Sequence, residues 1–401
     1  MDSQPEASAP PLLTRNFLCL LGAGFLCFTA LGIFYLFPLF VINLGGSKSD
    51  IGILMGVMAL SAVCVRPWVS GLVDQLNRKT TFAIGCALIA LISGAHIYVV
   101  APIDRIFYLL VLMRFIFGIG LGFIIVSSMT LASDLTPPRR LNEGLGIFGV
   151  MPLLGIATGP VIGEAIIASW GFTGMFLLTI GACALTVLFL IPIIEPIREK
   201  TDQRKDSFFT VLATPVVWRI GLVIITFGIA FAAHGSFVAP FAESRSLSVS
   251  IYFITYSAAA VISRLFGGRL SSYCGEYKMI LASLLGMGAG FLLLAQTSSN
   301  IGLVASGLLA GAGQGIFFPS VLAFSVRSVK SGDRGKITGI ITGGVDTGML
   351  IGSFSLGYLG DLFGFPVLFT VAAFCVLVGV FLFIFMRKTI MLPKDGPIKA
   401  P

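Results

Sequence analysis

The chain has 401 residues, of which 56% are hydrophobic and 11% are charged, and its net charge is +8. A water-soluble domain carries about 25% charged residues, so this composition excludes a soluble enzyme and places the chain in a membrane. The apolar runs are long and unbroken, whereas strands of a membrane β-barrel alternate between apolar and polar residues. We therefore expect an all-α membrane protein that crosses the bilayer many times.

The apolar runs predict twelve transmembrane helices, since each is close to the roughly 20 residues that the hydrocarbon core requires. In chain order they cover residues 16–42, 50–70, 80–101, 105–131, 144–168, 172–193, 217–241, 250–271, 279–297, 301–326, 337–359 and 365–386. The polar stretch 194–215 separates six spans from six and is interpreted as a linker. The expected domains are an N-terminal six-helix half, residues 1–193, and a C-terminal six-helix half, residues 216–401.

The charges outside the spans predict the orientation. The first ten residues contain two acids and no base, unlike a signal peptide, so the first apolar run is interpreted as a retained span. Of the 26 Lys and Arg residues, 20 fall in the tails and even-numbered loops and three in odd-numbered loops. Bases concentrate on the cytoplasmic side, so we expect a cell (inner) membrane protein with both termini and the linker in the cytoplasm. This distribution explains the positive charge without a nucleic-acid partner.

Short segments recur in the two halves at a shift near 198 residues. RPWVSGLVD at 66–74 matches RLFGGRLSS at 264–272, and SWGF at 169–172 matches LFGF at 362–365. Ordered matches of this kind predict two pseudo-symmetric halves of one design. Transporters built from such repeats bind their substrate near the bilayer midplane, between the repeats. A duplication with a purely structural role is the alternative.

The loop after the second span reads SGLVDQLNRK, residues 70–79. It resembles the loop signature of the major facilitator superfamily, G-x-L-x-D-R-x-G-R-K. The positions that fit are Leu72, Asp74, Arg78 and Lys79, and those that depart are Ser70, Gln75 and Asn77. The resemblance implies a gating motif, in which Asp74 caps a neighbouring helix, pairs with a base and holds one conformation; helix N-termini favour anions. The second-half copy has Ser272 in place of the acid, so we expect an asymmetric gate.

The fourth span contains LVLMRFIFGIGLG, residues 110–122, with Arg114 well inside the apolar run. A cation near the bilayer centre costs about 2.5–3.5 kcal/mol on insertion scales, so Arg114 is expected to face a cavity or a partner. The segment is similar to a second motif of the same superfamily, which implies that Arg114 tunes proton coupling. An arginine does not itself release a proton at physiological pH. Structural pairing is the alternative.

The fifth span contains GIATGPVIGE, residues 155–164. It resembles the superfamily's antiporter motif, G-x-x-x-G-P-x-x-G-G, through Gly155, Gly159, Pro160 and Gly163, while Glu164 replaces the last glycine. Small residues allow helices to approach closely, and a proline bends a helix. The resemblance associates this segment with exporters and with the outer gate. Generic glycine packing is the alternative.

Polar residues inside the second-half spans are the remaining site candidates. ITGGVDTGMLIG, residues 341–352, places Asp346 in an apolar run near mid-membrane. An intramembrane acid is a functional candidate, because a buried carboxyl group can exchange a proton at physiological pH or bind a cationic substrate. A structural hydrogen bond to Thr347 or to a facing helix is the alternative. His234 in the seventh span is a candidate for titration near neutral pH and for lining the cavity, and Gln314 in the tenth is a candidate for hydrogen bonds to the substrate.

Three further groups of residues receive interpretations that need no catalytic or metal-binding role. His96, near the outer end of the third span, is expected at the membrane interface. The seven cysteines include no C-x-x-C pair, so no disulfide framework or metal site is expected. In the first span, the aromatic residues Phe34, Tyr35 and Phe37 either line an apolar cavity, contact lipid or pack in the core.

The second-half patterns G-x-G-x-x-x-P at 313–319 and D-x-G-x-x-x-G at 346–352 resemble the bacterial twelve-helix drug- and sugar-efflux-like branch of the superfamily. We therefore expect proton-coupled export of a small organic molecule by alternating access. A proton-coupled importer or a passive facilitator on the same fold is the main alternative, and a membrane enzyme or sensor is a remote one. The expected partners are the substrate, protons and the lipid bilayer, and the chain is expected to be a monomer that is not an enzyme and holds no cofactor or metal.

Overall fold

The computed structural model describes residues 11–137, 140–195, 208–326 and 334–386. The regular elements assigned in these ranges are α-helices and one 3-10 turn, Phe34–Leu36, which joins the first two helices. The helices are α1 Arg15–Ile33, α2 Phe37–Asn43, α3 Lys48–Gln75, α4 Arg78–His96, α5 Ile103–Asp134, α6 Leu141–Phe148, α7 Val150–Leu190, α8 Phe208–Leu212, α9 Pro215–Ser244, α10 Val249–Cys274, α11 Glu276–Gln296, α12 Asn300–Val326 and α13 Arg334–Phe385. The predicted all-α class is confirmed.

Ten helical stretches among the described residues are long and apolar enough to cross a membrane. Two of them, Glu143–Leu190 and Gly339–Phe385, are 48 and 47 residues long, about twice the length that one crossing needs. Each is broken at one glycine, Gly171 with φ 64° or Gly364 with φ 81°. Counting each as two crossings gives the twelve spans that the sequence predicts.

These two breaks lie in the matching segments SWGF and LFGF. The sequence predicts short loops there, between spans 5 and 6 and between spans 11 and 12. In the structure a single residue at positive φ interrupts each helix, because glycine has no Cβ and adopts this conformation at little steric cost. The two sequence halves therefore share a structural break as well as a sequence match.

The described residues form two compact units. The first contains the residues up to Phe40 and those from Ser61 to the linker, and the second contains Val41–Leu60 and the residues after the linker. The predicted halves differ from these units in one segment, since Val41–Leu60 belongs to the N-terminal half of the sequence but to the second unit. α3 therefore passes from one unit into the other along its length.

Glycine-lined contacts join the main helix pair in each unit. In the first unit, Gly155 and Gly159 of α7 lie against the backbone of α1 at Phe28 and Gly32. In the second, Gly348 and Gly352 of α13 lie against the backbone of α9. A Cβ at these positions would collide with main-chain atoms, so the spacing G-x-x-x-G sets how closely the helices approach.

Parts of the predicted linker and tails lie outside the described residues. These are residues 1–10, 196–207 and 387–401, together with the loop positions 138–139 and 327–333. The described rest of the predicted linker contains the short helix α8 and the first residue of α9. The cytoplasmic location of the termini stays a prediction.

Candidate functional site

Arg114 is fully buried in the first unit, in the middle of α5. Its guanidinium carbon lies 3.5 Å from the centroid of the Phe37 ring, 5.0 Å from that of Phe117 and 5.3 Å from that of Phe34. Phe34 and Phe37 reach the same guanidinium because the 3-10 turn after α1 places residues three apart on one side. Ring faces attract a cation, by about 2 kcal/mol or more when both are desolvated. The rings thus form a favourable environment for a charge inside an apolar unit.

His96 lies beside this aromatic cluster and is buried inside the protein, while its predicted depth at the membrane interface stays a prediction. The side chain is 1% exposed, and its ring stacks on Phe176 with 5.1 Å between centroids. Nδ1 lies 2.7 Å from the carbonyl oxygen of Ile92, so Nδ1 carries the proton of a neutral ring and Nε2 carries the lone pair. Nε2 is buried and has no hydrogen-bond partner among the described residues. His96 lies within electrostatic range of Arg114.

His234 lies in an aromatic core of the second unit. It is fully buried on α9, its ring stacks on Tyr256 at 3.9 Å between centroids, and its Nδ1 lies 3.3 Å from the hydroxyl of Tyr252. Both tyrosines come from α10 and are themselves fully buried. Sequence reasoning missed them, although their i, i+4 spacing in YFITY places both rings on one face of a helix.

Gln314 lies in α12 where this helix approaches two neighbours closely. Gly313 lies against the Ser283 carbonyl oxygen on α11, and Gly315 lies against the Ala260 carbonyl oxygen on α10. The side-chain oxygen Oε1 of Gln314 is buried and has no hydrogen-bond partner among the described residues. A buried acceptor without a partner costs about 1–3 kcal/mol, and such a group in a native protein calls for a specific explanation.

Asp346 lies on the face of α13 that points away from α9. Successive residues of an α-helix are about 100° apart, so residue 346 is about 160° around the helix from both Gly344 and Gly348, which contact α9. The side chain is partly exposed, and one carboxylate oxygen, Oδ2, is buried. The Thr347 hydroxyl donates to the Gly343 carbonyl oxygen at 2.7 Å. The Thr347 hydroxyl therefore does not donate to Asp346, which was one of the two structural alternatives predicted for this carboxylate.

The four predicted membrane candidates belong to different surroundings. Arg114 lies in the first unit, and His234, Gln314 and Asp346 lie in the second on α9, α12 and α13. Among the described residues, no group of three His, Cys, Asp or Glu side chains is arranged to hold a metal ion. The candidates supply a cation among aromatic rings, a buried imidazole, a buried amide oxygen and a carboxylate.

The loop motif after the second predicted span forms a charged cluster at the start of α4. Arg78 Nε lies 2.9 Å from Asp134 Oδ2 at the end of α5. The backbone N–H groups of Arg78 and Lys79 donate to the two carboxylate oxygens of Glu195 at 2.9 and 2.8 Å, and Lys79 Nζ donates to the Ile193 carbonyl oxygen at 3.0 Å. A carboxylate at a helix N-terminus compensates unpaired N–H groups and the helix dipole.

The acid that caps α4 is thus Glu195, which sequence reasoning missed because it lies 117 residues from Arg78. Leu72 and Asp74 lie in the last turns of α3. The side chain of Asp74 is outside the described part of the chain, so its predicted capping role stays a prediction.

The antiporter-like segment packs on α1. Gly155, Gly159 and Gly163 all face α1, Pro160 is buried, and Glu164 is partly exposed. The backbone remains helical through Pro160, and Gly171 is where α7 departs from helical geometry. Gly344, Gly348 and Gly352 repeat the same spacing on α13. Close helix packing therefore accounts for the glycine spacing, and the association with export stays a prediction.

Comparison with known proteins places the chain among transporters. The model of the Major Facilitator Superfamily matches residues 19–257 and 244–400. "Uncharacterized MFS-type transporter MJ1560" of Methanocaldococcus jannaschii is 26% identical over 377 residues, covering 88% of this chain and 94% of that protein. "Multi-drug resistance efflux pump PmrA" of Streptococcus pneumoniae is 22% identical over 375 residues, covering 89% and 92%.

The fold matches solved transporter structures over most of its length. The crystal structure of a bacterial homologue of the human lysosomal transporter Spinster, in an inward-facing and unoccupied conformation, superimposes with a TM-score of 0.77. It is 15% identical in sequence, and the match covers 94% of this chain and 98% of that one. At this identity the likeness shows the fold alone.

Proposed function

We propose, since the chain belongs to the Major Facilitator Superfamily, that it exports a small organic molecule in exchange for protons. The chain is a secondary transporter and not an enzyme. Export is supported by its relative PmrA, whose name describes a multidrug efflux pump. The drug-export-like patterns of the second half support the same direction. In this proposal the protein works by alternating access, with the substrate site exposed to each side of the membrane in turn.

The observation that carries the proposal is the position of Asp346. It lies 12 residues after the start of α13 and 18 residues before Gly364, or ~18 Å and ~27 Å along the helix axis. Its side chain points away from the glycine contact with α9, so this contact does not require the carboxylate. Ionisable groups inside membrane spans are rare and mark ion or substrate pathways.

A carboxylate at this place gives antiport a simple chemical basis. The group binds a proton when it faces the acidic side, and the substrate displaces that proton when the site faces the cytoplasm. One group that binds either partner exchanges them one for the other. Under this mechanism, loss of the carboxylate uncouples substrate movement from proton movement, even if substrate still binds.

The substrate class follows from the other candidates. The Gln314 side-chain oxygen supplies a hydrogen-bond acceptor, and the buried residues of the second unit are otherwise mostly apolar or aromatic. Binding sites of this kind combine mostly apolar walls with a few polar groups that fix orientation. We therefore propose an amphipathic compound with at least one hydrogen-bond donor, and a cationic group would pair directly with Asp346.

The test is a transport screen in inside-out vesicles that carry an acidic lumen. Amphipathic compounds are added to the outer, originally cytoplasmic, face, and the pH gradient is followed with a fluorescent dye. An exported compound drives protons out and partly collapses the gradient in wild-type vesicles but not with Asp346→Asn. Asp104→Asn, which changes an exposed acid in the first turn of α5, is the matched control and should behave as wild type.

Two other results would reject parts of the proposal. A compound that acidifies the lumen further would indicate symport and hence import. A compound that collapses the gradient equally in wild type and Asp346→Asn would show that Asp346 is not the coupling group, and the test would move to His234 and Glu164.

A further inference from the structure

A half-open groove of about 450 Å³ runs along the first unit between α1 and the two arms of α7. Phe25 and Ile33 of α1 form one wall, Ile166 and Trp170 lie at the end of the first arm, and Gly181 and Leu185 line the second arm. The volume is in the range of small-molecule sites, about 300–1,000 Å³. No residue of the candidate transport site lines it.

The groove is apolar throughout. Among its lining residues, Thr29 and Trp170 alone carry polar side-chain atoms. The Thr29 hydroxyl donates to the Phe25 carbonyl oxygen at 2.8 Å and lies 3.1 Å from the Thr158 hydroxyl, so its hydrogen-bonding needs are met within the protein. The Trp170 indole N–H at one end is therefore the polar group that the lining offers a ligand, and the occupant along the rest of the groove is a hydrocarbon chain.

The dimensions of the groove match one leaflet of a bilayer. On the second arm of α7 it extends from Gly174 to Leu185, which is ~17 Å along a helix axis. The hydrocarbon core is about 30 Å thick, so one leaflet contributes about 15 Å. Trp170 lies at one end, 71% exposed and next to the helix break at Gly171. Tryptophan side chains concentrate at the membrane–water interface.

We propose that this groove binds one acyl chain of a phospholipid from the leaflet on the Trp170 side. The head group lies at the level of Trp170, and the chain descends between α1 and the second arm of α7 towards Leu185 and the bilayer centre. Leu177 and Leu185 are 48% and 47% exposed, so the groove opens on an apolar surface where lipid is the surrounding solvent. The site differs from ordinary lipid contact because three helical segments enclose the chain.

The structure supplies a matched pair of substitutions for the test. Gly181 lines the groove, and a Cβ there meets no atom within 4 Å, so Gly181→Leu fills the groove without a clash at Cβ. Gly221 on α9 also has no atom within 4 Å of a Cβ and does not line the groove. Gly221→Leu is therefore the control. Leu185→Trp narrows the inner end and serves as a second variant if Gly181→Leu does not fold.

The experiment uses the full chain in nanodiscs of phosphatidylcholine that contain a trace of phosphatidylcholine with a diazirine on one acyl chain. After irradiation, cross-linked peptides are quantified by mass spectrometry. We expect cross-links at 25–33 and 174–185 to exceed those at the exposed apolar face of α11 by at least fivefold in wild type and Gly221→Leu. Gly181→Leu or Leu185→Trp should remove this excess. Equal cross-linking on both surfaces, or an excess that survives in a folded groove variant, would overturn the proposal.

Discussion

The guanidinium of Arg114 lies over the face of the Phe37 ring, with 3.5 Å between the guanidinium carbon and the ring centroid. Two helical segments that are far apart in the sequence bring them together, α5 and the segment after the 3-10 turn of the first span. The pair shows how an apolar unit accommodates a permanent positive charge. Because the ring and the charge belong to different residues, a substitution of Phe37 tests the ring while the charge of Arg114 stays in place.

Replacing the ring should weaken this site without removing the charge. Phe37→Leu keeps a buried apolar side chain but loses the ring face, which is worth about 2 kcal/mol to a desolvated cation. We expect transport in the vesicle assay to fall at least fivefold and thermal stability in detergent to decrease. Phe37→Tyr keeps the ring face and should retain most activity if the hydroxyl fits. Equal activity of Phe37→Leu and wild type would show that the contact has no functional weight.

Asp361 caps the first turn of α3 and thereby holds Val41–Leu60 in the second unit. Its carboxylate accepts hydrogen bonds from the backbone N–H groups of Lys48 and Ser49 at 2.9 and 2.8 Å. Loss of a cap costs about 1 kcal/mol, so Asp361→Ala should accelerate amide hydrogen exchange in residues 48–56 by roughly fivefold.

Lys48→Gln is the control for this capping interaction. Lys48 Nζ is 3.9 Å from the carboxylate and both side chains are partly exposed, an arrangement worth about 0–1 kcal/mol. The backbone hydrogen bonds survive in this variant, and exchange should change less than in Asp361→Ala. A larger effect of Lys48→Gln would assign the stabilisation to the ion pair instead of the cap.

Two glycines five residues apart on α13 should respond in opposite ways to alanine. A Cβ on Gly348 would collide with the Ile225 carbonyl oxygen, whereas a Cβ on Gly343 meets no atom within 4 Å. Gly348→Ala should therefore lower the melting temperature in detergent. Gly343→Ala should leave it unchanged or raise it, since alanine favours a helix by roughly 0.5–1 kcal/mol. Similar losses in both variants would contradict the close contact between α9 and α13.

Replacing Gln314 by an apolar residue should maintain or raise the stability of the protein and weaken substrate binding. Gln314→Leu removes a buried oxygen that has no partner among the described residues. The protein should be as stable as wild type or more stable, by up to about 1–3 kcal/mol. If the oxygen binds substrate, the KM for transport should rise while the maximal rate changes less. A stability loss with unchanged KM would mean that Gln314 is a structural residue.

The sequence predicts those features of the fold that depend on local apolar length and on repeated glycines. The twelve crossings follow from runs of apolar residues, and the match of SWGF with LFGF marks the two breaks at Gly171 and Gly364. Contacts between distant segments leave no such local signal. The capping of α4 by Glu195, and of α3 by Asp361, each join residues more than 100 positions apart.

The candidate site was predictable to a similar degree. Arg114 and Asp346 can be identified from the sequence, because a charged side chain inside an apolar run has a high free-energy cost in the membrane and usually has a specific role. The burial of His96 was not predictable, since its position near a helix end suits either an interface or a core. The contacts of Tyr252 and Tyr256 with His234 were not predictable either, because they depend on how α9 packs against α10.

The most direct test of proton exchange at Asp346 is proton release on substrate binding, measured in detergent with a pH dye in weak buffer. A compound that passes the vesicle screen is added to purified wild type, Asp346→Asn and Asp104→Asn. The account predicts proton release from wild type and Asp104→Asn, at a pH where the carboxyl group is protonated before binding, and none from Asp346→Asn. Equal proton release from Asp346→Asn would contradict the account, because another group would then carry the exchanged proton.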